Sequence, residues 1–228
     1  MLSSLWDLLP VRDPAFFDII LLSLKVTLTA VGAAGLIGLP VGAALALGRF
    51  PGRPILIVII NAFMGLPPVV AGLAVFLLLS RSGPLGQFGL LFSPAAMMVA
   101  QFGLVLPIII ALSRQTIEDL WLEYREQLTS MGAGRLRAIP TLLWDARFSL
   151  VTSLLAGLGR AFAEVGAILI VGGNVAGFTR TMTTAIALET SKGDLPLALG
   201  LGAVLMALTL VINALAFAVS RLGARFAG

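Results

Sequence analysis

Long stretches of this chain carry no charge at all. Residues 26–48, 54–80, 82–113 and 195–220 contain no Asp, Glu, Lys or Arg, and 148–172 contains only Arg160 and Glu164. A helix crossing a bilayer needs about 20 mostly apolar residues, so each run is long enough. The run at 82–113 opens with the loop-like "SGPLGQFGLLFSP" and turns helical near Ser93. The pattern therefore predicts five spans, near 17–47, 54–80, 93–114, 148–172 and 195–220. Backbone groups in hydrocarbon must bond within their own segment, which makes these spans helices. The first is longer than a bilayer requires, and Gly32, Gly35, Gly38 and Pro40 offer it a place to bend, with tilt taking up the rest. Gly and Ala elsewhere permit close helix contacts. Pro67-Pro68 and Pro107 fall inside the second and third spans and predict kinks, either static or hinged.

Composition agrees with the pattern. Of 228 residues 59% are hydrophobic and 11% charged. A water-soluble domain usually carries about 25% charged residues and could not hide this much apolar surface. The expectation is one all-α domain over 1–228, a polytopic membrane bundle. Cys and His are both absent, which removes disulfides, thiolate chemistry and the usual zinc ligands, so no metal site is expected. The net charge of +4 forms no continuous basic patch, so no nucleic-acid partner is expected. The leader "MLSSLWDLLPVRDPAFFD" lacks the basic start of a signal peptide. Its Trp6, Phe16 and Phe17 suit the membrane–water boundary.

Charge placement gives a topology. With five spans, one side receives Arg49, Arg53, Arg114, Arg125, Arg135, Arg137, Arg147, Arg221 and Arg225, and the other Arg12, Arg81, Arg180 and Lys192. The positive-inside rule makes the first side cytoplasmic. The expected protein is a multi-pass protein of the cytoplasmic membrane, N-terminus outside and C-terminus inside.

The segment at about 115–147 is too polar to cross. Within it, Ile117, Trp121, Tyr124, Leu128 and Met131 recur every three or four residues and form one apolar helical stripe. Gly132 and Gly134 end or bend that helix. Two readings stand side by side: a helix lying on the inner leaflet against membrane lipid, or a helix presented to a soluble partner.

The stretch "EQLTSMGAGRLRAIPTLLWD" resembles the cytoplasmic EAA loop of ATP-binding-cassette importer permeases. Glu126 and Gly132 keep that loop's Glu–Gly spacing. Gln127 and Leu128 stand where the family has two alanines, and Trp144-Asp145 stand where it has Leu-Pro. "GLPPVVAGLAVFLLLSRSGPLG" (65–86), "GRAFAEVGAILIVGGN" (159–174) and "GFTRTMTTAIALETSKGDLPLALGLG" (177–202) are similar to permeases of tungstate importers. The resemblance implies the type I permease fold, with a coupling helix that seats on an ATPase subunit. It implies that Glu126, Gln127, Leu128, Gly132, Ala133 and Arg135 make that contact. It also implies a homodimer, and an extracytoplasmic binding protein that selects tungstate.

Two polar features lie outside the loop. Arg160 and Glu164 sit at i and i+4 inside the fourth span. Each unpaired charge at the bilayer centre costs roughly 2.5–3.5 kcal/mol, and one helical turn lets them pair. They are either an internal ion pair or an element of the gate. Beyond that span, Asn174, Thr179, Arg180, Thr181, Thr183 and Thr184 are candidate donors to an oxyanion near an outer gate, or else the caps of an ordinary re-entrant turn.

There is no G-x-x-x-x-G-K-[ST] nucleotide loop, so ATP is expected on a partner subunit and no cofactor on this chain. The expected function is the permease of an ATP-driven oxyanion importer, tungstate first, with molybdate or sulfate as the alternative cargo. Remote alternatives are a docking scaffold and an intramembrane enzyme using Glu164 and Glu189 as acid–base groups.

Overall fold

The computed structural model describes residues 14–226, and Trp6 and Arg12 lie outside them. The described helices are α1 (Pro14–Leu47), α2 (Arg53–Met64), α3 (Pro68–Leu79), α4 (Pro94–Ser130), α5 (Ile139–Asp145), α6 (Arg147–Phe162), α7 (Gly166–Gly172), α8 (Met182–Lys192) and α9 (Leu195–Phe226). There is no strand among the described residues. Helices α1, α4 and α9 are each long and apolar enough to cross a membrane. The pairs α2–α3 and α6–α7 reach that length only together, bent by 105° and 62°. Three of the five predicted crossings are therefore single helices, and the count reaches five where each bent pair is one span.

The first break has a local cause. Pro67 and Pro68 have no N–H, so the last carbonyls of α2 lose their next-turn donors. Pro68 then opens α3, where a missing N–H costs nothing. The second break contains no proline and is described with the site below.

The long helices show two features that the pattern did not give. Helix α1 continues through Pro40 as one 34-residue helix, and two of its glycines, Gly38 and Gly42, face α4 closely. A Cβ on Gly38 would stand 2.9 Å from Ile109, and one on Gly42 would stand 2.7 Å from the carbonyl oxygen of Ile110. Bare backbone on α1 is what lets α4 come this close. Likewise the third span and the amphipathic segment after it are one helix, the 37-residue α4, uninterrupted at Pro107. Between Ser113 and Ile117 there is no Gly or Pro to stop it. At 1.5 Å per residue α4 is about 55 Å long, so about 25 Å projects beyond a 30 Å hydrocarbon core.

Gly42→Ala is expected to lower the melting temperature of the detergent-solubilised protein, because Ile110 presents backbone that cannot yield. Overpacking of this kind costs about 1–3 kcal/mol. Gly32→Ala, with nothing within 4 Å of the added Cβ, should melt like the parent. Equal melting of the two variants would refute the packing role.

Four apolar cores hold the bundle: one packs α1, α4 and α6 around Val31, Val105, Ile109 and Ala161, and there are three others. Of these three, one joins α1, α3, α4 and α7 around Val26, Ala71, Met97 and Val171. Another joins the end of α1 to the projecting part of α4, α5 and the start of α6, around Leu47, Ile117, Trp121 and Leu142. The third joins the start of α1 to the end of α6, α8 and α9 around Phe162, Met182 and Leu201. Phe16 belongs to this last core and is buried, whereas Phe17 is half exposed. Of that boundary pair only Phe17 is free to meet lipid.

Candidate functional site

Polar chemistry gathers at the two ends of the bundle. At the arginine-rich end the elbow from Glu126 to Arg147 follows α4. Helix α4 stops where the sequence predicted. Gly132 takes the left-handed conformation at φ 77°, its N–H bonds the Thr129 carbonyl, and the Ala133 N–H reaches back to the Leu128 carbonyl. This paired arrangement satisfies carbonyls the helix would leave open, and a residue without a Cβ adopts it without strain.

The apolar stripe does not face outward as a whole. Ile117 and Trp121 are buried, and Tyr124 and Leu128 are partly buried against α1, α5 and one another. Arg135 lies 5.5 Å from the Trp121 ring, so it is a lid on this core more than a free docking charge. What the elbow shows to solvent is Glu126 (side chain 89% exposed), Gln127, Gly132, Met131, Leu136 and Trp144 (81, 64 and 73% exposed). Arg147 stacks on Trp144 and donates to its backbone carbonyl at 2.9 Å. The exposed Leu136 and Trp144 did not stand out in the sequence, because neither belongs to the helical stripe.

A knot of charge fixes this end. Arg53 donates to the Leu45 and Ala46 carbonyls at 2.8 and 3.1 Å, capping the end of α1, and to Glu118 at 3.1 Å. Glu118 also pairs with Arg114. One carboxylate within α4 thereby ties together the end of α1 and the start of α2. Charge spacing along the sequence gives no sign of this, since Arg53 and Glu118 are 65 positions apart.

The broken crossing lies toward the other end. Glu164 sits between α6 and α7 and is 2% exposed. One of its oxygens accepts from Arg160 at 3.0 Å, and the other accepts the Ala167 N–H at 2.9 Å. Its backbone carbonyl accepts the Thr183 hydroxyl at 2.8 Å. The predicted pair therefore forms. It does so across a bend, and Glu164 holds α6, α7 and α8 in register. Nearby, the Ser23 hydroxyl accepts the Met182 N–H, and Gln101 donates to the Ala161 carbonyl. Ser23, Thr27, Gln101 and Glu164 line one small recess together with the apolar Phe162, Ile168, Met182 and Leu205.

The loop between α7 and α8 consumes most of its own donors. The Thr179 hydroxyl donates to the Gly172 carbonyl at 2.6 Å and accepts from Val175 N–H. Thr181 and Thr184 form a reciprocal cap at the start of α8. Asn174, at φ 51°, donates to the Thr184 carbonyl at 3.4 Å. Its amide oxygen and the Arg180 Nε are buried without a hydrogen-bond partner. Arg180 faces Glu189 at 3.7 Å, and Lys192 donates to the same carboxylate at 3.0 Å. Glu189 and Glu164 thus each answer to basic neighbours, and there is no cluster of metal-ligating side chains among the described residues.

This geometry combines three long apolar helices and two bent helix pairs, a projecting elbow with an exposed edge, and a latched break between α6 and α7. Known proteins give it a family. A probable anion ABC transporter permease of Haloferax volcanii is 42% identical over 209 residues, covering 90% of this chain and 87% of that one. The chain belongs to the ABC transporter permeases. A tungstate uptake system permease protein of Peptoclostridium acidaminophilum is 36% identical over 211 residues, or 92% of each chain. A sulfate transport system permease protein of Salmonella typhimurium is 29% identical over 89% of this permease and 76% of its own length. No protein-family model matches the chain. The permease is a multi-pass membrane protein and a transport subunit rather than an enzyme.

Proposed function

We propose that this chain is the membrane subunit of an ATP-driven importer whose cargo is a tetrahedral oxyanion, tungstate first. The strongest support is the likeness to a tungstate uptake permease across nine-tenths of both chains. The more distant sulfate permease keeps sulfate as the second reading. In this scheme the arginine-rich end faces the cytoplasm, as the positive-inside rule requires, and the N-terminus lies outside. An ATPase subunit binds the elbow at Glu126, Gln127, Leu128, Gly132, Ala133 and Arg135, with Met131, Leu136 and Trp144 supplying the apolar contacts. Two copies of the permease enclose the pathway. A binding protein delivers the anion at the opposite end.

Nucleotide binding drives the cycle through a difference in affinity. The ATPase pair closes on ATP, and the permease arrangement that fits the closed pair becomes the populated one. The projecting half of α4 is a stiff arm for this. It shares one core with α1, α5 and the start of α6, so a push on the elbow moves all of them. We assign Arg160 and Glu164 to latching the bend between α6 and α7. Thr179, Thr181, Thr183 and Thr184 hold the loop that carries Asn174 and Arg180 at the outer entrance.

The test is ATPase stimulation in proteoliposomes holding the permease, its ATPase and its binding protein. The binding protein loaded with tungstate should stimulate hydrolysis, and molybdate or sulfate should stimulate only at much higher concentration. Stimulation by sulfate at the lowest concentration would replace tungstate with the second reading. No stimulation by any loaded binding protein would remove the importer.

A further inference from the structure

A buried polar atom normally has a hydrogen-bond partner. Among the described residues, the side-chain atoms that break this rule belong to Gln101, Arg114, Asn174 and Arg180. Of those residues Gln101 alone is buried as a whole, at 1% exposure. Its unmet atom is the amide oxygen, Oε1. The orientation of this amide is fixed by its other end. The nitrogen donates to the Ala161 carbonyl at 3.0 Å and to Thr27 Oγ1 at 3.4 Å. A carbonyl only accepts, so turning the amide over would set two acceptors against each other. Gln101 Oε1 is therefore an acceptor held in place inside the bundle.

Thr27 has the complementary need. Its oxygen accepts from Gln101, but its own O–H is not spent on the preceding turn. Ser23, one turn earlier on α1, does spend its proton that way, on the Ile19 carbonyl at 2.7 Å. Gln101 and Thr27 line the recess beside the broken crossing, and Glu164 lines it with them. Each Glu164 oxygen already accepts one bond, and a carboxylate oxygen can accept two. Every lining residue except Leu205 is buried. The volume of the recess, counted as room for the centre of a water molecule, is about 10 Å³. One water needs about 10–15 Å³ on that measure, and two to four polar partners.

We infer that this recess is a binding site for one water molecule, shared by α1, α4 and the break between α6 and α7. The water accepts from the Thr27 hydroxyl and donates to Gln101 Oε1 and to the Glu164 carboxylate. Those three bonds use the two groups that the chain leaves unmet. A metal cation suits the recess less well, because the Glu164 charge is already answered by Arg160. The water extends the latch. Direct bonds join Glu164 to α6, α7 and α8, and the water carries the connection to α1 and to α4.

Met182 also lines the recess and supplies a reporter. X-rays split a bound water into a hydroxyl radical where the water sits, and a methionine thioether beside it is oxidised to the sulfoxide. Met182 is 1% exposed and Met97 is 0% exposed, so bulk solvent reaches neither. Met97 differs in lying in an apolar core, with Val26, Ala71 and Val171. The full-length permease in lipid nanodiscs, given a brief X-ray exposure and read by mass spectrometry, should carry sulfoxide at Met182 and none at Met97. Thr27→Val and Gln101→Leu, each removing one partner of the water, should lose the Met182 label while Met97 stays silent. Met182 as silent as Met97 in the parent, or both labelled alike, would overturn the inference. So would a Met182 label that survives in both variants, since the radical would then come from elsewhere. The comparison within the parent decides the matter even where a variant folds poorly.

Discussion

Glu164→Ala is expected to be the most damaging single change in the membrane portion, with little folded protein recovered and a much lower melting temperature in detergent. Two losses add. Arg160 is left without its partner inside the membrane, which at the bilayer centre costs about 2.5–3.5 kcal/mol. That figure is an upper bound here, because Arg160 retains 34% side-chain exposure. The Ala167 N–H loses its acceptor in a buried place, which costs about 1–3 kcal/mol. Against a total stability of about 5–15 kcal/mol the sum is a large fraction. Two further variants separate the contributions. Glu164→Gln keeps an acceptor for Ala167 but not the charge, and should fall between the parent and Glu164→Ala. Adding Arg160→Met to Glu164→Gln removes the orphaned cation and should recover much of the difference, as replacing both members of a pair usually does. If Glu164→Ala melts with the parent, the latch does not exist. If it folds but fails only in coupled transport, Glu164 belongs to the gate and not to the frame.

The second large effect is expected at Gly132. Gly132→Val places a β-branched residue at φ 77°, where a left-handed conformation costs roughly 1–2 kcal/mol for an L-residue and more for this shape. The chain from Ala133 to Ala138 would leave α4 in another direction. Leu136 and Trp144 would no longer share a surface with Glu126 and Met131. Since about 1.4 kcal/mol is a factor of ten, ATPase binding to the permease should weaken roughly tenfold or more, measured by titrating the ATPase subunit onto nanodisc-held permease. Gly132→Asn, which tolerates the same backbone, should retain most of the affinity. Nothing lies within 4 Å of a Cβ added at Gly132, so a loss confined to the Val variant is a backbone effect and not a clash. Full binding and full coupling by Gly132→Val would detach the elbow from the ATPase.

Much of this permease can be read directly from its amino-acid order. Uncharged runs mark five candidate crossings because hydrocarbon excludes charge whatever the partners are. Gly132 marks the end of α4 because a glycine readily takes the left-handed conformation that ends many helices. Arg160 and Glu164 pair because one helical turn brings i and i+4 together. All three rules are local, and they hold before any helix meets another.

The tertiary structure decided what those residues face. Ile117 and Trp121 make a stripe that fits lipid, a partner or a core equally well, and only the arrival of α1 and α5 makes it a core. Gly38 and Gly42 of α1 are permissive for a bend or for contact, and α4 packs directly against both. Thr179, Thr181 and Thr184 are donors in sequence, but the folded loop turns them on itself. The bond between Arg53 and Glu118 has no sequence signature, because a contact between residues so far apart depends on the α1–α2 turn packing against the side of α4. Periodicity and spacing fix what a segment is able to bury or bond, and only packing selects which neighbour satisfies it.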